Sequence, residues 1–119
     1  MTRQALLSAA ILLLAVPAGA ATVSAGAAAG HAGETETVCG TVASVYYASR
    51  SRARPTFLDF GARYPHETFM AVIFDDDRPA FGQLAGLRGE RACVTGPIQL
   101  YRGKPEIILQ DPSQLKAGG

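Results

Sequence analysis

Residues 91–110 read RACVTGPIQLYRGKPEIILQ, and this stretch decides the fold class. Two segments rich in apolar residues, 91–101 and 104–110, meet at Arg102-Gly103, a pair typical of a turn between antiparallel strands. No apolar stripe with a helical period runs through either segment. The stretch therefore predicts a β-hairpin and indicates a domain built from short strands.

The chain before this hairpin has the same character. Short β segments broken by glycine and proline predict strands over 38–48, 56–61 and 68–75. A short helix is expected over 78–84, where an aspartate can cap the first turn and Pro79 lies near the first helical position. We therefore expect an all-β fold, a five-stranded, partly open Greek-key barrel of the OB type with one short helix between its third and fourth strands.

The N-terminus has the organisation of an export signal. Arg3 precedes an apolar run over 5–16, and the small residues of 17–20 follow, which is the order of a secretory signal peptide. A membrane anchor is the alternative, but this run is shorter than the roughly 20 residues that a spanning helix needs. We expect a signal peptide at 1–20 and a periplasmic or secreted protein with no membrane insertion after cleavage.

The rest of the chain divides by composition. Residues 21–36 are rich in alanine and glycine, so a disordered leader is expected there. The OB-fold domain is predicted to span 37–115 and a flexible tail 116–119. A domain this small gains little surplus stability from hydrophobic burial, so a covalent cross-link would matter.

Cys39 and Cys93 are the two cysteines of the chain. In an oxidising compartment they favour a disulfide, and closing a loop of about 55 residues would stabilise the domain by roughly 4 kcal/mol. Two-residue alternation puts both side chains opposite the apolar positions of their strands. The first and fourth strands are neighbours in an OB barrel, so a cross-strand disulfide on the outer wall is predicted. Two free thiols are the alternative.

Several segments together suggest a family. They are VCGTV at 38–42, RPTFLDFG at 54–61, YP at 64–65, FMAVI at 69–73, VTGPIQLYRGKPEI at 94–107 and DPSQL at 111–115. In these segments the chain resembles small bacterial OB-fold domains of the nucleic-acid-binding type, which occur as exported stand-alone proteins and as modules attached to extracellular nucleases. The resemblance implies the OB fold and a role in binding nucleic acid.

Two loops carry the candidate binding residues. In OB folds, the loop after the first strand and the hairpin between the last two flank the face where single-stranded nucleic acid or sugars lie. Bases stack on aromatic rings, and guanidinium groups pair with phosphates. The candidate nucleic-acid-binding residues are Tyr46, Tyr47, Arg50, Arg52, Arg54, Phe57, Tyr101, Arg102 and Lys104. The alternative is a solvated arginine loop, with tyrosines that cover the barrel ends.

Metal and catalytic sites find little support. The run Asp75-Asp76-Asp77 lacks the spaced ligands of a calcium loop, so helix capping and solvation are favoured. The two histidines are His31, in the expected leader, and His66 in a loop, and the cysteines are expected to pair, so no zinc site is predicted. The residue types that a hydrolase would need come nearest together in Asp59, Arg63 and Glu67. These three match no known catalytic arrangement. We expect no metal, no cofactor and no catalysis.

The charge balance narrows the choice of partner. The chain carries 11 basic and 10 acidic side chains, which argues against a general binder of polyanions. The leading hypothesis is an exported, non-enzymatic OB module that binds single-stranded DNA or RNA, or another anionic polymer, through the two loops. The alternative is a module that binds an envelope or secreted protein.

Overall fold

The fold is all-β, as the sequence predicts. The computed structural model describes residues 21–118, and within that range it contains eight strands and four short 3-10 helices. The predicted signal peptide at 1–20 lies outside the described residues. The strands are β1 (Val23–Ser24), β2 (Thr35–Tyr47), β3 (Thr56–Phe60), β4 (Phe69–Ile73), β5 (Arg91–Pro97), β6 (Gln99–Tyr101), β7 (Lys104–Ile108) and β8 (Leu115–Ala117). The 3-10 helices are η1 (Ala25–His31), η2 (Arg78–Phe81), η3 (Ala85–Leu87) and η4 (Pro112–Gln114).

The long strand β2 connects the two halves of the sheet. Its residues 35–41 run antiparallel to 91–97 of β5, and its residues 42–47 run antiparallel to 56–60 of β3. A register shift near Val42 separates the two ladders. Such an irregularity bends a strand. The bend lets β2 pair with β5 along its first half and with β3 along its second half.

The strands form one sheet in the order β6-β7-β4-β3-β2-β5-β8, with β1 beside β2. The β4–β7 and β1–β2 pairs are parallel, and the other pairs are antiparallel. Among the described strands no ladder joins the two ends of this order, so the sheet is not closed into a barrel.

The strand count differs from the five predicted. Residues 23–24 and 115–117 add strands that the composition does not signal, and the predicted fourth strand divides at Ile98. The Ile98 side chain is buried in the core, and its N–H donates to the carbonyl of Glu34. Residues 99–101 then pair with β7 instead of β2.

The core lies on one face of the sheet. Leu58 and Phe60 of β3 are fully buried, and the Phe60 and Phe69 rings meet edge to face with 5.3 Å between centroids. Side chains alternate along a strand, so Phe57 and Asp59 point to the opposite face. That second face carries the candidate site.

The segment 21–36 is ordered where its composition predicts a disordered leader. β1 pairs with β2, and Val23, Ala25 and Ala28 are buried in the core. Gly40 has no side chain, which leaves room for Ala25 to pack against β2. A Cβ at this position would lie 2.9 Å from the Ala25 Cβ and 3.3 Å from a Phe60 ring carbon. Small residues here permit close packing, and that packing orders the segment.

The C-terminal end and the expected helix also differ in detail. Residues 116–117, expected in a flexible tail, pair with β5, and the Gly118 N–H donates to the carbonyl of Arg91 over 2.7 Å. Within the helix predicted over 78–84, residues 78–81 form η2, a single 3-10 turn, and η3 begins beyond the predicted range at Ala85. The side chain of Asp77, the residue before η2, forms no capping hydrogen bond.

The predicted disulfide is confirmed. Cys39 of β2 lies directly opposite Cys93 of β5, and the bond joins residues 54 positions apart. The neighbouring Val38 and Val94 are in the core, so the cysteines occupy the other face as strand parity predicts. They are nevertheless only 3% and 8% exposed, because β1 flanks Cys39 and β8 flanks Cys93. Such a bond is typical of an oxidising, non-cytoplasmic compartment. Among the described residues, no helix is long and apolar enough to cross a bilayer.

Candidate binding groove

A groove of about 790 Å³ lies over the outer face of β2 and β3. Its floor consists of cross-strand pairs, since Tyr46 lies opposite Phe57 and Ser44 lies opposite Asp59, which in turn faces Met70 of β4. These positions alternate with the core positions of the same strands. The sheet core therefore fixes which side chains the groove presents.

Tyrosine rings line the groove from three separate elements. Tyr46 comes from β2, Tyr64 from the turn between β3 and β4, and Tyr101 from β6, and they are 59%, 76% and 51% exposed. Phe57 is partly buried and lines the groove opposite Tyr46. A planar ligand has exposed aromatic faces to stack on at several points of this groove.

Cationic side chains surround the tyrosines. Arg63, Arg88 and Arg102 line the groove, and within residues 21–118 none of the three forms an ion pair with another side chain. The Arg102 guanidinium lies 5.2 Å from the centroid of the Tyr101 ring. A guanidinium next to an aromatic ring combines an anion contact with a stacking surface.

Two buried carboxylates lie at the base of the groove. Asp59 accepts a 2.8 Å hydrogen bond from the Ser44 hydroxyl. Burial raises the pKa of Asp59 because it disfavours the charged form, and nearby Glu67 raises it further, while the Ser44 hydrogen bond and Lys104 lower it. The groove therefore holds an acid that resists ionisation.

Lys104 is bound to the second carboxylate. Its Nζ lies 2.6 Å from Oε1 of buried Glu67, and it also donates to the carbonyl of Pro65. These contacts tie β7 to the turn after β3. Lys104 thus has an internal partner, although the sequence predicts that it contacts a ligand. Four cationic side chains and two carboxylates line the groove, a formal surplus of two positive charges.

The structure brings together part of the predicted binding set. Tyr46, Phe57, Tyr101, Arg102 and Lys104 line the groove, whereas Tyr47, Arg50, Arg52 and Arg54 do not. The arginine loop reaches the groove at Ala48 and Ser51, but the side chains of its arginines do not line it. Its end is held near β4, where the Asp75 N–H donates to the carbonyl of Ala53.

Two of the predicted binding residues contact Asp75 at the end of β4. Arg54 donates to one Asp75 oxygen from Nε over 3.0 Å and from Nη2 over 2.9 Å. The Tyr47 hydroxyl donates to the other oxygen over 3.3 Å. Asp75 therefore orders the loop, where the sequence predicts only solvation or helix capping.

Three groove residues were missed by sequence reasoning. Arg63 and Tyr64 lie in the turn between β3 and β4, and its place after β3 puts it beside the predicted binding face. Arg88 follows η3, and no sequence signal points to it. Asp59, Arg63 and Glu67, the set that matches no catalytic arrangement, all line the groove.

Two comparisons with known proteins find no match. No model of a known protein family matches the sequence, and a search of curated proteins finds no match.

Proposed function

We propose that this protein is an exported, non-enzymatic module that binds single-stranded nucleic acid in the groove. The observation that carries the proposal is the set of three exposed tyrosines beside three arginines without ion pairs among the described residues. Stacking on an aromatic ring contributes about 1–3 kcal/mol per base, and arginine recognises phosphate oxygens in a planar, two-point geometry.

The buried acids are compatible with an anionic ligand. Glu67 is neutralised by Lys104 at 2.6 Å, and its side chain is 2% exposed. Asp59 is bound to Ser44, and burial raises the pKa of its carboxyl. The three arginines are the exposed charges of the groove, so an approaching phosphate meets a positive surface.

We also propose that five of the strands correspond to an OB-type barrel, β2, β3, β4, β5 and β7. Two pairings support the correspondence: β2 has both β3 and β5 as partners, and β4 pairs with β7 in parallel. The groove then covers the first and second of those strands and reaches the third at Met70, so it borders the face of the second and third strands where OB folds hold extended ligands. Export is supported by the disulfide and by the N-terminal sequence pattern.

Fluorescence anisotropy with a labelled single-stranded DNA of about 12 nucleotides, within the site size of one OB module, tests the proposal. We expect binding at low salt, with log K falling against log salt at a slope of about −2 if three phosphates are neutralised. Arg102→Ala reduces this slope by roughly 0.7, and Tyr101→Ala weakens binding by about 1–3 kcal/mol.

Arg52→Ala is the matched control, because Arg52 is exposed in the arginine loop and lies outside the groove. We expect it to leave the affinity unchanged. Absence of binding at low salt contradicts the proposal that the groove binds nucleic acid. So does a result in which Arg52→Ala loses affinity and Arg102→Ala does not. Cleavage of the oligonucleotide with added calcium or magnesium contradicts the non-enzymatic part. A pull-down partner that survives nuclease treatment favours the protein-binding alternative.

A further inference from the structure

Three side chains with metal-binding chemistry meet where η1 passes into β2. His31 Nδ1 lies 2.8 Å from Oε1 of Glu34 and 3.9 Å from Oε2 of Glu36. One ligand atom from each residue lies within 4.8 Å of the other two. None of the three lines the groove, so this corner is separate from the proposed nucleic-acid site.

The backbone that carries these side chains is held in place. The Glu34 N–H donates to the His31 carbonyl over 3.0 Å, which closes the turn between them. The Gly33 N–H donates to the Ile98 carbonyl over 2.8 Å, and the Ile98 N–H donates to the Glu34 carbonyl over 2.9 Å. Glu36 lies within the β2–β5 ladder, opposite Gly96. The side chains therefore start from fixed positions, which lowers the entropic cost of binding a ligand.

We propose that His31, Glu34 and Glu36 bind a divalent transition-metal ion of the Zn²⁺ type. With bonds of about 2.1 Å, the ligand atoms of such a site lie roughly 3.0–3.4 Å apart. The two measured separations fall on either side of that range, so small side-chain rotations complete the geometry. An imidazole nitrogen with two carboxylates suits zinc better than calcium or magnesium, which take oxygen ligands.

His31 lies within ion-pair distance of both Glu34 and Glu36, so one imidazole faces two carboxylates. A divalent ion bound between the three ligand atoms would offset the repulsion between the two carboxylates more fully than a single imidazolium does. Three protein ligands leave a coordination position open for water or another donor. The sequence does not predict this site, because His31 lies in a segment whose alanine and glycine content predicts disorder.

Isothermal titration of untagged, chelator-stripped protein with Zn²⁺ alone tests the site. We expect one ion per chain, and a rise in thermal midpoint with added Zn²⁺ because the ion links η1 to β2. His31→Asn and Glu36→Gln each weaken binding by at least roughly 10- to 100-fold, the loss seen even when a residue behind a metal ligand is changed.

His66→Asn is the matched control, because His66 is the other histidine of the chain and is exposed in a separate turn. It is expected to bind Zn²⁺ like the wild type, and ring signals in NMR spectra should shift for His31 and not for His66. The proposal is overturned if Zn²⁺ fails to bind. It is also overturned if both site variants bind normally, or if the His66 signals shift instead. The outcome is independent of nucleic-acid binding, which this experiment does not measure.

Discussion

The packing of Ala25 against Gly40 gives the most direct test of the ordered N-terminal segment. A methyl group added by Gly40→Ala would lie 2.9 Å from the Ala25 Cβ and 3.3 Å from a ring carbon of Phe60. Both distances are shorter than the roughly 3.5–4.0 Å at which carbon atoms attract each other best. The added methyl therefore forces the N-terminal segment or the Phe60 ring to move.

The expected cost follows from two opposing effects. Replacing glycine by alanine inside a strand normally gains about 0.5–1 kcal/mol, and overpacking a core normally costs about 1–3 kcal/mol. We expect Gly40→Ala to lower the free energy of unfolding by about 1–2 kcal/mol. Combined with Ala25→Gly, it should recover part of this loss, with a coupling energy of about 1 kcal/mol between the two sites.

Urea unfolding followed by circular dichroism measures these free energies, since the chain has no tryptophan. Hydrogen exchange over residues 23–31 reports on the segment itself and should accelerate in Gly40→Ala. Gly86→Ala is the matched control, because a Cβ there meets no heavy atom within 4 Å. A disordered segment would make Gly40→Ala neutral or stabilising, with no coupling to Ala25. That result would refute the packing argument.

Three further predictions concern the disulfide and the buried acids. The double variant Cys39→Ala, Cys93→Ala should lower the free energy of unfolding by about 4 kcal/mol in urea titrations, because it releases a loop closed over 54 positions. Reductant should have no further effect on the stability of this variant. A decrease in the free energy of unfolding of less than about 1 kcal/mol contradicts the entropic argument. Lys104→Met should cost about 3 kcal/mol, since it leaves the buried Glu67 carboxylate unpaired, and adding Glu67→Gln should restore most of that loss. Burial raises the pKa of Asp59 in the folded state, so protonation of Asp59 adds to the free energy of unfolding. This contribution is fully present below about pH 4 and is lost as the pH rises through the folded-state pKa. Urea titrations should show Asp59→Asn gaining stability relative to the wild type between about pH 3 and pH 7, and a pH-independent difference would contradict the sign.

The candidate site was predictable only in part. Parity and turn chemistry are properties of neighbouring residues, and they place Phe57 on the outer face of β3 and Tyr101 beside the hairpin turn, where the structure has them. Tyr46, predicted to act from the loop after the first strand, lies in β2. The partners of charged side chains are not local: Arg54 meets Asp75 across 21 positions, and Lys104 meets Glu67 across 37. A sequence shows that these charges exist but not that they neutralise each other.

The sequence by itself determined the approximate positions of β2, β3, β4 and β7, the face that each cysteine occupies and the polar outer face of β3, because two-residue alternation acts along one strand. Only the tertiary structure decided that an alanine- and glycine-rich segment is ordered, because its packing depends on the absence of a side chain at Gly40, against which Ala25 lies. The turn between this segment and β2 brings His31 to Glu34 and Glu36. Composition measures how much surface a segment can bury, whereas the shape of the opposing surface decides whether it is buried.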